Sequence, residues 1–146
     1  MIKLQNVEKV YKSENGNVTA LNDINLEFES SGMVFVVGRS GSGKTTLLNI
    51  IGSLDHIDNG EVSVTFPNED EYNLSAASEK ELDEYRNLHV GFVFQEYNLL
   101  KDWSIRDNIL LPVRQQYTEG AEQEEEKILE QVLHETLFNW NCTKCG

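Results

Sequence analysis

A run of consecutive residues has the types and spacing of a phosphate-binding loop. It matches the pattern G-x-x-x-x-G-K-[S/T]. Glycines let the backbone turn successive N–H groups inward, and a helix beginning at the end of the loop adds unsatisfied N–H groups and its dipole. The pattern therefore predicts a site for the triphosphate of a nucleotide, with Mg-ATP as the expected ligand. The residues are Gly38, Arg39, Ser40, Gly41, Ser42, Gly43, Lys44 and Thr45.

Two side chains at the end of this loop have distinct chemical roles in such a site. We expect the Lys44 ammonium to reach the β- and γ-phosphates, and the Thr45 hydroxyl to ligate Mg²⁺, which prefers hard oxygen ligands together with phosphates. The alternative is a Gly-Ser turn that happens to precede a helix. That alternative gives no reason for a lysine directly after the last glycine.

The elements around the loop predict an α/β fold. Residues 33–37 and 90–94 are apolar without alternation, which is typical of strands buried on both faces of a parallel sheet. Residues 44–51 predict a helix directly after the loop. Strands are also predicted at 2–11, as an edge strand, at 18–28 and at 61–64, with a turn at 13–17 and a polar loop at 67–77. The prediction is a nucleotide-binding core with an antiparallel β flank.

Three further helices are predicted from local signals. Ser78 and Glu81 have the spacing of a capping box, which predicts a helix from there to about Asn87. Ser104 and Asp107 have the same spacing and predict a short helix closed by Pro112. Residues 119–135 are rich in glutamate with an apolar stripe, as expected of a surface helix whose charged face is solvated.

Charge and composition exclude several function classes. The formal net charge of −13 argues against tight binding to nucleic acid and against adhesion to an anionic membrane. The apolar stretches are too short to cross a bilayer, so a cytoplasmic location without direct membrane insertion is expected. Cys142 and Cys145 form a C-x-x-C, which we interpret as an unstructured tail rather than half a zinc site or a redox pair.

The sequence resembles the N-terminal part of an ABC transporter ATP-binding subunit, in the branch that serves lipoprotein-release, macrolide-exporter and peptide-efflux systems. The phosphate loop alone is shared by many NTPases, whereas the GFVFQ and YNLL segments are much more specific. The resemblance spans nearly all of residues 1 to about 132. It rests on ALNDINL at 20–26, GRSGSGKTTLLNIIGSLD at 38–55, GEVSV at 60–64, YRNLHVGFVFQ at 85–95, YNLL at 97–100 and DNILLP at 107–112.

The resemblance implies roles for residues outside the loop. Tyr11 stands where the family has an aromatic that stacks on adenine, although a strand aromatic packed in the core is an open alternative. Gln95 stands at the family's Q-loop, where it contacts Mg²⁺ or the attacking water, and Thr46 joins the nucleotide contacts. The implied partners are transmembrane permease subunits, facing residues 96–112, and a second ATP-binding subunit. The implied location is peripheral, on the inner face of the plasma membrane.

The resemblance ends near residue 132, and residues 133–146 read as a tail outside the family pattern. The LSGGQ signature, the late strand ending in Asp and Glu, and the switch histidine do not occur in these residues. We therefore interpret the chain as a truncated form that binds nucleotide with negligible hydrolysis, and we expect exposed strand edges. The alternative is a non-catalytic remnant or interaction module of a split or frameshifted gene. A GTPase or small-molecule kinase is disfavoured, because N-K-x-D and an arginine-rich lid are missing.

Overall fold

The computed structural model describes residues 1–14, 16–67, 71–96, 98–116 and 125–132. The chain divides into two units, Met1–Phe92 and Val93–Gly146. Residues 125–132, in the second unit, are helical. The other elements, in chain order, are β1 (Ile2–Tyr11), β2 (Val18–Phe28), α1 (Lys44–Ile51), β3 (Asn59–Thr65), β4 (Glu71–Asn73), α2 (Glu79–His89) and α3 (Ile105–Gln116).

The first unit contains a four-stranded antiparallel sheet in the order β2-β1-β3-β4. The predicted hairpin between β1 and β2 is confirmed, and Gly16 N–H closes its turn on the Ser13 carbonyl at 3.1 Å. The prediction that β1 is an edge strand is wrong, because β3 returns after α1 and pairs with its other edge. The predicted loop at 67–77 contains the short strand β4, which pairs with β3.

Helix α1 packs on this sheet through one apolar face. Leu47 and Ile50 are three residues apart, so they lie on the same side of the helix. They share a buried cluster with side chains of the strands, and this cluster is the core that holds the start of α1 against the sheet. The cluster members from the strands are Leu4, Val7, Leu21 and Val62.

Helix α2 supports the end of α1. The predicted capping box is present, since Glu81 N–H donates to the Ser78 hydroxyl and the Glu81 carboxylate accepts from Ser78 N–H. Further along, the Tyr85 hydroxyl donates to the Ile51 carbonyl at 2.9 Å, and Arg86 Nη1 donates to the Ser53 carbonyl at 2.6 Å. These bonds satisfy backbone groups at the end of α1.

Replacement of Tyr85 by phenylalanine is expected to change the alkaline stability of the protein. Burial raises the pKa of Tyr85 to about 12, from an ordinary value of 10.0. Because the folded-state pKa lies above the unfolded one, the stabilisation is complete below pH 10 and is lost as the pH rises through 12. The wild type should therefore lose about 2 kcal/mol of unfolding free energy between pH 10 and 12 that Tyr85→Phe does not lose. Urea unfolding of both proteins across this range measures the difference, and parallel pH profiles would contradict the prediction.

Two predicted strands are absent from the sheet. Within the described ranges, residues 33–37 and 90–94 form no strand, so the prediction that both are buried in a parallel sheet is wrong for this structure. Phe35 is 77% exposed, Val37 86% and Val93 100%. The apolar pattern identifies segments able to form buried strands, but burial also requires a neighbouring strand, and neither segment belongs to the described four-stranded sheet.

The second unit contains the predicted helix after Ser104. Asp107 N–H donates to the Ser104 hydroxyl at 3.1 Å, which caps the start of α3. The prediction that Pro112 closes this helix is wrong, because α3 continues to Gln116. Proline removes one helical hydrogen bond. The last turn is nevertheless stabilised by ion pairs of Arg114 with Asp107 at 3.0 Å and with Glu125 at 2.8 Å. Of the predicted helix at 119–135, residues 125–132 are described and are helical.

Candidate functional site

The glycine-rich loop turns directly into the first turn of α1. Gly41 and Gly43 have φ angles of 78° and 86°, in the left-handed region that glycine adopts without strain. Gly43 is the N-cap of α1, and its carbonyl accepts the Leu47 N–H at 2.8 Å. The N–H groups of residues 44–46 therefore have no acceptor inside the helix. The loop thus presents unsatisfied backbone donors at the helix start.

The Lys44 side chain folds back across the loop. Its Nζ lies 2.7 Å from the Arg39 carbonyl oxygen, 3.0 Å from the Gly38 carbonyl oxygen and 3.5 Å from the Ser42 hydroxyl. These contacts hold the ammonium close to the loop backbone. A positive charge is therefore fixed beside the unsatisfied donors of the helix, and both attract an anion.

In the described part of the chain, the start of α1 has no side-chain cap. Gly43 provides no side-chain cap, and the first turn contains no acidic residue. By contrast, the start of α2 is capped by Ser78 and has Glu79 and Glu81 in its first turn. An acceptor from outside the chain can therefore satisfy the α1 donors, and a phosphate group has the charge and oxygen atoms that this position favours.

The position of the loop depends on a close contact with β2. A Cβ atom on Gly43 would lie 2.4 Å from the Ala20 carbonyl oxygen and 3.0 Å from Leu21 Cδ2. The loop backbone therefore lies directly against this strand, closer than any other residue type would allow. Ala20 was not identified as a site residue from the sequence, because nothing local to either segment signals the approach.

Tyr11, at the end of β1, lies beside the same helix. Its hydroxyl donates to Asp55 Oδ2 at 2.7 Å and lies 3.4 Å from Thr46 Oγ1. Tyr11 is 40% exposed, so it is not a core aromatic. Burial alone would raise the pKa of Asp55, but hydrogen bonds from Lys9, Tyr11 and the backbone outweigh it and hold that pKa below its ordinary value. Asp55 is therefore an ionised acceptor at neutral pH.

The structure describes most of the remaining predicted site residues. Residues 38–42 and Thr45 are exposed on the loop and the first helical turn, and Thr46 is half-buried. Gln95 is exposed and belongs to the second unit, and its role as a Q-loop residue stays a prediction. Cys142, Cys145 and the tail at 133–146 lie outside the described residues, and so does Tyr97.

The donor set around the loop also suits Mg²⁺ bound together with phosphates. Across the described part of the chain, no group of three or more His, Cys, Asp or Glu side chains could hold a metal ion. A magnesium ion at the loop would thus take its ligands from phosphate oxygens, water and the exposed Thr45 hydroxyl. This agrees with the way Mg²⁺ usually binds nucleotides, with few protein ligands.

A glycine-rich loop, an uncapped helix start and a lysine folded over the loop together have the sequence and geometry of a P-loop on an α/β fold. Comparison with models of protein families matches residues 21–142 to the ABC transporter family. The chain belongs to the ABC transporter family. None of the helices among the described residues is long and apolar enough to span a membrane.

Individual relatives agree with this assignment. The bacitracin export ATP-binding protein BceA of Halalkalibacterium halodurans is 37% identical over 113 residues, which are 77% of this chain and 43% of the relative. The lipoprotein-releasing system ATP-binding protein LolD of Bacteroides fragilis is 40% identical over 112 residues, covering 77% of this chain and 48% of the relative. The chain therefore spans about half the length of the curated relatives it matches.

A solved structure confirms the predicted fold class. The ATP-binding cassette MJ0796 of Methanocaldococcus jannaschii, in a dimeric post-hydrolysis state bound to ADP and Pi, superposes with a TM-score of 0.76. The two chains are 36% identical, and the match covers 89% of this chain and 55% of that one. The fold is thus that of an ABC-type P-loop core with an antiparallel flank.

Proposed function

We propose that this chain binds Mg-ATP at the loop of residues 38–45 as the ATP-binding component of an ABC transporter. The observation that carries the proposal is the uncapped start of α1. A glycine-rich loop leads into it, and the Lys44 ammonium lies against that loop. Two further facts support it. The relatives BceA and LolD are named as ATP-binding proteins, and the similar solved structure holds ADP and Pi.

The proposal assigns a separate contact to each group. The backbone N–H groups of the loop and of the first helical turn bind the phosphates, and Lys44 binds the β- and γ-phosphate oxygens. The Thr45 hydroxyl ligates Mg²⁺, with Thr46 beside it, and Tyr11 offers its exposed ring to the adenine. Gln95 is proposed as a second contributor to the metal or to the attacking water.

The partners are proposed from the relatives. BceA and LolD are named as parts of an export system and a lipoprotein-releasing system, and the solved structure is dimeric. We expect transmembrane permease subunits and a second ATP-binding subunit as partners, with residues 96–112 facing the permease. The location that follows is the inner face of the plasma membrane. Such an assembly does not require nucleic acid, which agrees with the net charge of −13.

Titration with a fluorescent ATP analogue tests the binding site. Saturable binding is expected in the presence of Mg²⁺, and unlabelled ATP should displace the analogue. Inorganic triphosphate should displace it more weakly, because it makes the phosphate contacts but none to the base. Removal of Mg²⁺ with EDTA should lower the affinity, since the metal neutralises part of the phosphate charge. Failure of both ATP and inorganic triphosphate to displace the analogue would contradict the proposal.

Phosphate release from the same samples tests turnover. We expect little or no release by the 146-residue chain alone, because its sequence contains no LSGGQ loop and no acidic pair after a late strand. Bound nucleotide without release is the expected combination. Sustained turnover by the purified chain would show that other residues position the attacking water.

A further inference from the structure

The orientation of Tyr11 is set by residues distant in sequence. Its hydroxyl donates to Asp55 Oδ2 at 2.7 Å, and these residues are separated by 44 positions. Asp55 lies just after the end of α1, and its N–H is 3.3 Å from the Asn49 carbonyl oxygen. The carboxylate therefore has a defined place relative to the helix that begins at the phosphate loop.

Lys9 fixes the carboxylate from the other side. Its Nζ donates to Asp55 Oδ1 at 2.6 Å and to the His56 carbonyl at 2.6 Å. The same ammonium lies over the Tyr11 ring, 5.2 Å from its centroid. The side chain of Lys9 is 12% exposed and that of Asp55 is 25% exposed, so water only partly screens the pair. Both carboxylate oxygens thus have a partner.

A tyrosine at the end of a strand is otherwise free to adopt several rotamers. Here the ring is held at its hydroxyl end by Asp55, and the ammonium of Lys9 covers part of one face. The remaining exposed surface, 40% of the residue, is the part that a planar base can reach. Holding a ring in the orientation needed for binding removes an entropy cost from the binding step.

We propose that Asp55, held by Lys9, is a positioning residue that orients Tyr11 for stacking against the nucleotide base. The inference rests on the proposed function, because it assumes that a nucleotide binds at the adjacent loop. It assigns Asp55 and Lys9 to base recognition and leaves the phosphate contacts to the loop. Changes at Asp55 therefore affect ligands with a base and spare ligands without one.

The test compares ATP with inorganic triphosphate as competitors for the fluorescent ATP analogue, using the full chain. The variants are Asp55→Ala, Tyr11→Phe and the double variant of these two, together with Tyr11→Ala and Lys44→Ala. Asp55→Ala and Tyr11→Phe should each weaken ATP binding by about 3- to 10-fold, the net value of one typical intramolecular hydrogen bond, and the double variant should be no weaker than either one. In these three variants, binding of inorganic triphosphate should stay within about twofold of wild type. The ratio of the two affinities is independent of the fraction of protein that is folded.

Asp23→Ala is the matched control, because the described hydrogen bonds of the Asp23 carboxylate come from Asn6 and Asn25. It should leave the ratio unchanged. Should Asp55→Ala fail to fold, Asp55→Asn keeps the side-chain volume, loses the ion pair with Lys9 and should lower the ratio by a smaller factor.

The outcomes separate this inference from the proposed function. If Tyr11→Ala lowers ATP affinity while Asp55→Ala and Tyr11→Phe leave it unchanged, Tyr11 contacts the base but Asp55 does not position it, and the inference is overturned. Additive losses in the double variant would also overturn it. If neither ATP nor inorganic triphosphate responds to Lys44→Ala, the proposed function itself fails.

Discussion

Lys44→Ala is expected to weaken the binding of Mg-ATP by a factor on the order of 100. The ammonium lies over the loop, 2.7 Å and 3.0 Å from the carbonyl oxygens of Arg39 and Gly38, where the phosphates are expected. Each charge-assisted hydrogen bond to a phosphate contributes about 1.5 to 3 kcal/mol, and 1.4 kcal/mol corresponds to tenfold in affinity. Equilibrium titration with the fluorescent ATP analogue measures the change.

The control for this substitution is Lys80→Ala, which removes an exposed lysine from α2. It changes the net charge by the same amount and should leave the affinity within about twofold of wild type. The Lys44 variant should remain folded, because the contacts it loses lie on an exposed loop. Equal affinities for wild type and Lys44→Ala would place the nucleotide elsewhere.

Gly43→Ala is expected to disrupt the loop and the fold around it. The residue has a φ of 86°, and a Cβ atom would lie 2.4 Å from the Ala20 carbonyl oxygen. A methyl group there faces both backbone strain and contact with a strand that cannot retract without breaking its pairing. We expect a loss of about 2 to 4 kcal/mol in unfolding free energy and at least a tenfold loss in ATP affinity. Chemical denaturation and nucleotide titration measure the two effects.

Gly32→Ala distinguishes the effect of backbone strain from the effect of a steric clash of the added Cβ atom. Gly32 also has a positive φ, 118°, but a Cβ atom there would meet nothing within 4 Å. This variant should lose only the strain energy, about 1 kcal/mol, and should retain nucleotide affinity. If the two alanine variants behave alike, the approach of the loop to β2 is not what makes Gly43 necessary.

Local sequence patterns predicted the elements that depend on neighbouring residues. Helix α1 begins and ends where the pattern placed it, and the capping box at Ser78 is formed by side chains three residues apart. The glycine-rich loop was predicted for the same reason, because its turn and the helix start need only the residues of that segment. The hydrogen bonds of these features join residues only a few positions apart, so the local sequence is sufficient to predict them.

Strand burial required more than the local pattern. The apolar run at 33–37 is a strand-forming sequence by composition, yet its side chains are exposed because a strand is defined by the segment that pairs with it. For the same reason β1, expected at an edge, lies in the interior of the sheet, where β3 meets it. The strand that pairs with a segment comes from a distant part of the chain, and the apolar periodicity of the segment does not identify it.

The sequence by itself determined the glycine-rich loop, the helix that follows it and the family to which the chain belongs. These rest on short motifs whose chemistry is complete within adjacent residues. Only the tertiary structure brought Asp55 and Lys9 to Tyr11, and Ala20 to Gly43. The physical reason is that these contacts join residues far apart in sequence, and their geometry exists only after the sheet has packed against α1.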